Sequence, residues 1–142
     1  MAIGPSGYGP TMIESFVDIA TPDGTMTTFV VHPELIAGEQ DGPFPVVLFL
    51  MDAPGMREEL RTMSRRLASA GYYVMASQLY YREVEHYNLF ETGDRDRMFE
   101  LMSHLSNAMV VADAGAMIAH ADTDPAADAS RVGTVGYCMS GP

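Results

Sequence analysis

A strand-like run that ends in a tight turn around the sole cysteine is the feature that most constrains the fold of this chain. Residues 131–135 are largely apolar and β-branched, which indicates a short buried strand. The next six residues have small side chains at positions 136, 140 and 141, and they enclose Cys138. A strand that turns this sharply needs small neighbours and pushes its central side chain towards substrate. The pattern therefore predicts a nucleophile elbow with Cys138 as the nucleophile.

The rest of the chain alternates strand and helix patterns. These patterns predict strands at 12–19, 25–31, 46–50, 72–76 and 131–135, and helices at 57–70 and 94–120. The turn signal Pro22–Gly24 joins the first two strands into a hairpin, and Asp124–Pro125 predicts a short helical turn. A β-hairpin followed by βαβαβ predicts an α/β fold with a mostly parallel sheet. We expect a disordered segment at 1–11 and a single domain at 12–142.

One apolar stripe is predicted along the second helix, and it serves as helix core. Its residues fall alternately four and three apart: Met98, Met102, Leu105, Met109, Ala112, Ala116 and Ala119. The helix is predicted to end near His120, followed by Asp122 and Asp124. A metal site made of these three is disfavoured, because a histidine at a helix end followed by a capping aspartate explains them better.

Composition excludes several classes of function. The net charge of −11, from 19 acidic and 8 basic residues, disfavours binding to nucleic acid or to anionic membranes. A single cysteine excludes an intrachain disulfide and a multi-cysteine metal site. The first ten residues lack the basic and apolar regions of a signal peptide, and no run reaches the roughly 18 apolar residues of a membrane span. We therefore expect a cytoplasmic protein, with its oligomeric state left open.

The segment Gly136–Gly141 resembles the elbow of the dienelactone hydrolases, a branch of the α/β-hydrolase fold that uses cysteine where most members use serine. Segments 47–55, 67–74 and 79–82 resemble further pieces of that family, in the family's order. The resemblance implies the N-terminal part of an α/β-hydrolase fold. It also implies hydrolysis of a small ester or lactone through an acyl-enzyme on Cys138, with no metal and no organic cofactor.

Four further residues complete the candidate site. The oxyanion formed at an ester carbonyl needs backbone donors, and the N–H after the nucleophile, that of Met139, is one. The second would come from the loop after strand 46–50, where Pro54 has no N–H, so Ala53 is the better candidate. By resemblance, Asp52 stands where the family has a glutamate that contacts the thiol, although its side chain is one methylene shorter. Arg82 matches an arginine that holds a substrate carboxylate, which implies an anionic substrate.

The resemblance also shows departures from the family. Ser140 replaces the usual elbow glycine, and Ser77–Gln78 stands where the family commonly has Pro-Asp. In α/β-hydrolases the acid and the histidine of the triad follow the nucleophile, whereas all four histidines of this chain precede Cys138. We therefore expect an incomplete domain in which these 142 residues are inactive by themselves. The alternative is a non-catalytic α/β module in which Cys138 has a thiol-sensing or interaction role.

Overall fold

A six-stranded mixed sheet forms the centre of the molecule. A computed structural model of the chain describes residues 2–3, 11–36, 38 and 42–141. The strands are β1 (Ala2–Ile3), β2 (Met12–Thr21), β3 (Gly24–Pro33), β4 (Phe44–Leu50), β5 (Tyr73–Ser77) and β6 (Ala127–Gly136). They lie in the order β1-β2-β3-β5-β4-β6. Strands that alternate with helices confirm the predicted α/β fold. The sheet is mixed and not mostly parallel, because β4 runs parallel to β5 and β6 while the other three neighbouring pairs are antiparallel. β6 lies at the edge with residues 130–134 exposed, so the strand predicted at 131–135 is not buried.

The predicted hairpin is present and is longer than its sequence pattern indicated. β2 and β3 pair from Met12 opposite Pro33 to Thr21 opposite Gly24, so only two residues form the turn. Gly24 has a φ of +140°, a conformation that side-chain-bearing residues rarely adopt. The turn lies beyond the carboxyl end of β5, because β3 is antiparallel to that strand.

Helices cover the sheet on both faces. α1 (Glu58–Ser69) matches the helix predicted at 57–70, and the glycine that follows it has a positive φ that helps to end it. On β4, Phe49 lines a surface cavity together with Met63 of α1. The next residue, Leu50, lines a different cavity together with Val110, which belongs to the last α-helix of the chain. Successive strand residues point to opposite faces, so the two helices lie on opposite sides of the sheet.

The long helix predicted at 94–120 is wrong, because it is divided into two. α3 (Arg95–His104) and α4 (Asn107–Ala121) are separated by Leu105, whose backbone is extended. The Oγ atom of Ser106 accepts a hydrogen bond from the N–H of Met109 at 3.2 Å and thereby starts a new helix. A further short helix, α2 (Leu89–Thr92), lies between β5 and α3, where the sequence patterns predicted neither a helix nor a strand.

The break in the helix also shifts the buried face of α4. Its fully buried residues are Asp113, Met117 and Ala121, spaced four apart, instead of the alanines of the predicted stripe. The stripe is correct only on α3, where Met98 is buried. Because Asp113 is charged and buried in this row, it needs a hydrogen-bonding partner, which is described with the site below.

The expected helical turn at Asp124–Pro125 is a non-helical turn that leads into β6. The Asp124 carboxylate accepts hydrogen bonds from the Ala126 N–H at 3.0 Å and from the Tyr73 hydroxyl at 2.8 Å. Because one of these bonds reaches β5, the residue ties the turn to the sheet and does not start a helix. The predicted disordered segment 1–11 lies mostly outside the described residues and stays a prediction. None of the helices in the described ranges is both long and apolar enough to cross a membrane.

Candidate active site

The chain makes a tight elbow directly after β6. Among the non-glycine residues that the structure describes, only Cys138 has a positive φ, at +54°. This left-handed conformation costs free energy and is typical of residues held for function. A Cβ atom on Gly136 would lie 2.1 Å from the carbonyl oxygen of Ser140, so the turn closes only because position 136 is glycine. A single 3-10 turn at Cys138–Ser140 then follows, with its thiol side chain exposed.

The serine that replaces an elbow glycine has a structural partner. Ser140 Oγ donates a hydrogen bond to the carbonyl oxygen of Met51 at 2.5 Å. Met51 follows β4 directly and is fully buried. The side chain of Ser140 therefore ties the elbow to the loop after β4, a contact that a glycine could not make.

Neither predicted oxyanion donor is used in a hydrogen bond within the described residues. Across the described part of the chain, no hydrogen bond uses the backbone N–H of Ala53 or of Met139. Both residues contact the same side chain: the Tyr80 hydroxyl donates to the carbonyl oxygen of Ala53 at 2.9 Å and lies 3.4 Å from Met139 Sδ. The two loops that carry the free N–H groups therefore meet at Tyr80. The donor roles of Ala53 and Met139 stay predictions.

Tyr80 remains a hydrogen-bond donor at neutral pH. Burial raises the pKa of its hydroxyl well above the usual range, and the nearby Tyr87, Asp52 and Cys138 raise it further. The last of these effects places Tyr80 in the electrostatic field of the candidate nucleophile. Tyr80 was not predicted as a site residue, although it belongs to the Leu79–Arg82 segment that resembles the family.

Asp52 is held by a neighbouring arginine. Its two carboxylate oxygens accept from the two terminal nitrogens of Arg57 at 2.7 and 2.9 Å. The hydrogen bond to Asp52 raises the pKa of Arg57, whose guanidinium also lies 5.1 Å from the ring centre of Phe90. Among the described residues, no hydrogen bond joins Asp52 to Cys138. The contact of Asp52 with the thiol stays a prediction. In the structure, Asp52 forms an ion pair with Arg57.

Each of the three guanidinium nitrogens of Arg82 donates a hydrogen bond to an aspartate. Its terminal nitrogens donate to the two carboxylate oxygens of Asp113 at 2.9 and 2.8 Å, and its Nε donates to Asp23 at 2.7 Å. Burial alone lowers the pKa of Arg82, but the hydrogen bonds to Asp113 and Asp23 raise it more, so the net shift is upward. The Tyr81 hydroxyl completes the cluster with a 2.8 Å bond to Asp113. The structure thus ties Arg82 to α4 and to the β2–β3 turn, and its substrate role stays a prediction.

Three of the described histidines have partners outside the elbow. His86 pairs with Glu91, His104 pairs with Glu83, and His32 is buried against Tyr73. Within the described ranges, no histidine hydrogen-bonds to Cys138. The roles of Cys138 as nucleophile and of its neighbours as oxyanion donors stay predictions, and no base hydrogen-bonds to the thiol in the part of the chain that the structure describes.

One cluster has the spacing of a metal site. The ligand atoms of Glu83, Glu100 and His104 lie within 4.8 Å of one another, and all three residues are exposed. Exposed acidic groups commonly approach in this way without binding an ion, and nothing else at this surface indicates a metal. The three residues weighed for a metal in the sequence, His120, Asp122 and Asp124, do not form such a group among the described residues.

Comparisons with known proteins agree on one family. A family model described as "Dienelactone hydrolase family" matches residues 33–142. A "Putative carboxymethylenebutenolidase" of Methylorubrum extorquens is 31% identical over 130 residues, which are 92% of this chain and 42% of the relative. A protein of the same description from Escherichia coli (strain K12) is 26% identical over 130 residues, covering 92% of this chain and 45% of the relative.

A solved structure shows the same fold. The crystal structure of a "Putative Dienelactone Hydrolase" from Klebsiella pneumoniae subsp. pneumoniae matches with a TM-score of 0.77 and 28% identity. The match covers 91% of this chain and 51% of the other. The chain therefore spans about half the length, or slightly less, of the relatives that it matches.

Proposed function

The chain belongs to the dienelactone hydrolase family, and on that premise we propose that the whole protein hydrolyses a small carboxylic ester or lactone with Cys138 as its nucleophile. The observation that supports this most is the elbow itself. An exposed thiol occupies a strained, positive-φ position, and the free N–H groups of Met139 and Ala53 belong to the two loops that meet beside it. Strained backbone around a nucleophile is a frequent feature of active sites.

The proposed reaction has two steps. The Cys138 thiolate attacks the carbonyl carbon, a C–S bond forms, and the carbonyl π electrons move to the oxygen. The oxyanion accepts hydrogen bonds from Met139 and Ala53, then collapses and breaks the C–O bond to the leaving group, which takes up a proton. Water then attacks the thioester in the same way and releases the carboxylic acid and the thiol. For a lactone, the leaving alcohol remains part of the same product molecule.

The proposed substrate is defined by its ester or lactone group, and it does not need to carry a carboxylate as well. The expectation of an anionic substrate came from Arg82. Because its donor nitrogens are bound to Asp113 and Asp23, the structure does not support a free arginine for a substrate carboxylate. The net charge of −11 on these 142 residues also repels anions at long range. Neutral esters should therefore be accepted at least as well as anionic ones.

The 142 residues by themselves should react once and then turn over poorly. They carry the candidate nucleophile and both oxyanion donors, but no described histidine contacts Cys138 to accept its proton or to activate water. Loss of a general base costs about 10²- to 10⁴-fold in rate. We therefore expect slow acylation by an activated ester and slower release of the acyl group.

Steady-state hydrolysis of a dienelactone and of p-nitrophenyl acetate by the whole gene product tests the proposal. Cys138→Ala should abolish both activities, because it removes the proposed nucleophile, the single cysteine of these 142 residues. Ser103→Ala is a matched control, since Ser103 is exposed on α3 and bonds only within that helix. Full activity in Cys138→Ala would contradict the proposal. Reversible peroxide oxidation of Cys138 without any ester turnover would instead support the thiol-sensing alternative.

A further inference from the structure

We propose that Tyr80 is a positioning residue that aligns the oxyanion donor of Ala53 beside that of Met139, an inference that rests on the proposed function above. Tyr80 lies three residues after β5 and is 3% exposed. Its hydroxyl contacts the carbonyl oxygen of Ala53 and the sulfur of Met139, the two residues whose N–H groups are free. Its proton is donated to the Ala53 carbonyl at 2.9 Å, and the Met139 sulfur lies in contact with the same hydroxyl at 3.4 Å.

The peptide groups around Ala53 are fixed from several sides. The Asp52 carbonyl accepts from the Gly55 N–H at 3.2 Å, and the Ala53 carbonyl accepts from Tyr80. In a planar trans peptide the N–H points opposite to the carbonyl of the preceding residue, so the Asp52 carbonyl sets the direction of the Ala53 N–H. Tyr80 holds the next peptide group, and rotation about Ala53 is therefore blocked on both sides.

Tyr80 is itself held in a defined position. The side chain of Gln78 accepts from the backbone N–H of Tyr80 at 3.0 Å, and the Tyr87 ring packs edge-on at 6.0 Å. The Tyr87 backbone also lies against Gly55, where a Cβ atom would be 2.2 Å from the Tyr87 carbonyl oxygen. The loop after β4, which carries Ala53, is thus packed against the segment that carries Tyr80. The Tyr80 hydroxyl is therefore held rigidly, as a positioning residue must be.

Oxyanion donors accelerate a reaction only when they are already aligned with the developing charge. A misplacement of about 1 Å costs on the order of 100-fold in rate. Tyr80→Phe keeps the buried ring and removes the hydrogen bond to Ala53. We therefore expect acylation of Cys138 to slow by roughly 10- to 100-fold. A reaction of the same thiol that builds no oxyanion should be unaffected.

Two rates at Cys138, measured in the whole gene product, test the inference. The first is the burst of nitrophenolate from p-nitrophenyl acetate, and the second is alkylation by iodoacetamide. Tyr80→Phe should slow the burst and leave alkylation within about twofold of the unmodified protein, since alkylation needs only the thiolate. Tyr73→Phe is the matched control, because its buried hydroxyl donates to the Asp124 carboxylate at 2.8 Å, at the end of β6 opposite to the elbow, and neither rate should change.

A third variant separates positioning from folding. Replacement of Tyr80 by 4-aminophenylalanine keeps a donor at the same place on the ring and should restore the burst that Tyr80→Phe loses. An unchanged burst in Tyr80→Phe, an equal loss in both rates, or no rescue by the amino variant would overturn the positioning role alone. An unmodified protein that is alkylated at Cys138 and never acylated would overturn the proposed function, which is a distinct result.

Discussion

Arg82→Met should destabilise the protein, because Arg82 neutralises a buried carboxylate. The Asp113 side chain is 1% exposed and that of Arg82 is 13% exposed. The substitution removes the guanidinium and leaves the Asp113 charge with the Tyr81 hydroxyl as its remaining partner. Removal of one member of a buried ion pair costs about 3–5 kcal/mol. Since the Tyr81 bond persists, we expect a loss near the lower end, about 3 kcal/mol in the free energy of unfolding.

Urea denaturation of matched variants measures this loss. Arg97→Met removes an arginine from an exposed pair with Glu100, whose side chains are 30% and 52% exposed, and should cost less than about 1 kcal/mol. Adding Asp113→Asn to Arg82→Met should recover part of the stability, because the second change removes the unpaired charge and keeps an acceptor for Tyr81.

The opposite result would refute this reasoning. If Arg82 served a substrate carboxylate instead, Arg82→Met would leave the free energy of unfolding within about 0.5 kcal/mol of the unmodified value. It would then raise KM for anionic esters and leave KM for neutral esters unchanged. Stability and KM therefore distinguish the two roles of this residue.

Two other predictions follow from the elbow and from the buried tyrosines. Gly136→Ala should lower the free energy of unfolding by about 1–3 kcal/mol, because its Cβ would overlap the Ser140 carbonyl oxygen at 2.1 Å. Gly133→Ala is the control, since it lies on the same strand and no atom is near its Cβ. Equal losses of stability for the two variants in urea denaturation would contradict this explanation. Burial raises the pKa of Tyr73 and Tyr80 in the folded protein, so the unfolded chain releases these protons first, near pH 10. The free energy of unfolding should therefore fall above about pH 10, by up to about 1.4 kcal/mol per pH unit for each tyrosine. Tyr73→Phe should reduce that slope when the free energy of unfolding is measured in urea from pH 8 to 11. An unchanged slope would argue against a buried, protonated Tyr73.

The elements with strong local signals were predicted well. The β-branched run at 25–31 and the continuous apolar run at 46–50 both lie in strands, and α1 ends where Gly71 provides a positive φ. In each case the residues that decide the structure are close in sequence. The Gly136–Gly141 segment belongs to the same class, since its small residues and its sharp turn are adjacent.

The helix break was missed although a local signal for it exists. Ser106 and Asn107 are both residues that commonly start helices. The apolar spacing, however, continues through Leu105 and therefore predicted one continuous helix. The cap formed by Ser106 outweighs that spacing, because it satisfies the N–H of Met109 that would otherwise remain unpaired.

The partners of the site residues were beyond the reach of local patterns. Arg82 binds Asp113 and Asp23, which are 31 and 59 residues away in the chain, so its pairing depends on the assembled fold. Tyr80 and Ala53 are 27 residues apart and meet only because β4 and β5 are neighbours in the sheet. Arg57 is only five residues from Asp52, but a turn is needed to bring their side chains together.

The most direct test of the central claim is to locate the acyl group. The whole gene product is incubated with p-nitrophenyl acetate, quenched in acid and digested, and the peptides are identified by mass spectrometry. The account predicts acetylation of the peptide that contains Cys138, removed by hydroxylamine as a thioester is, and absent when the protein is first unfolded in urea. An unmodified Cys138, or equal acetylation in the unfolded protein, would contradict a folded elbow that activates this thiol.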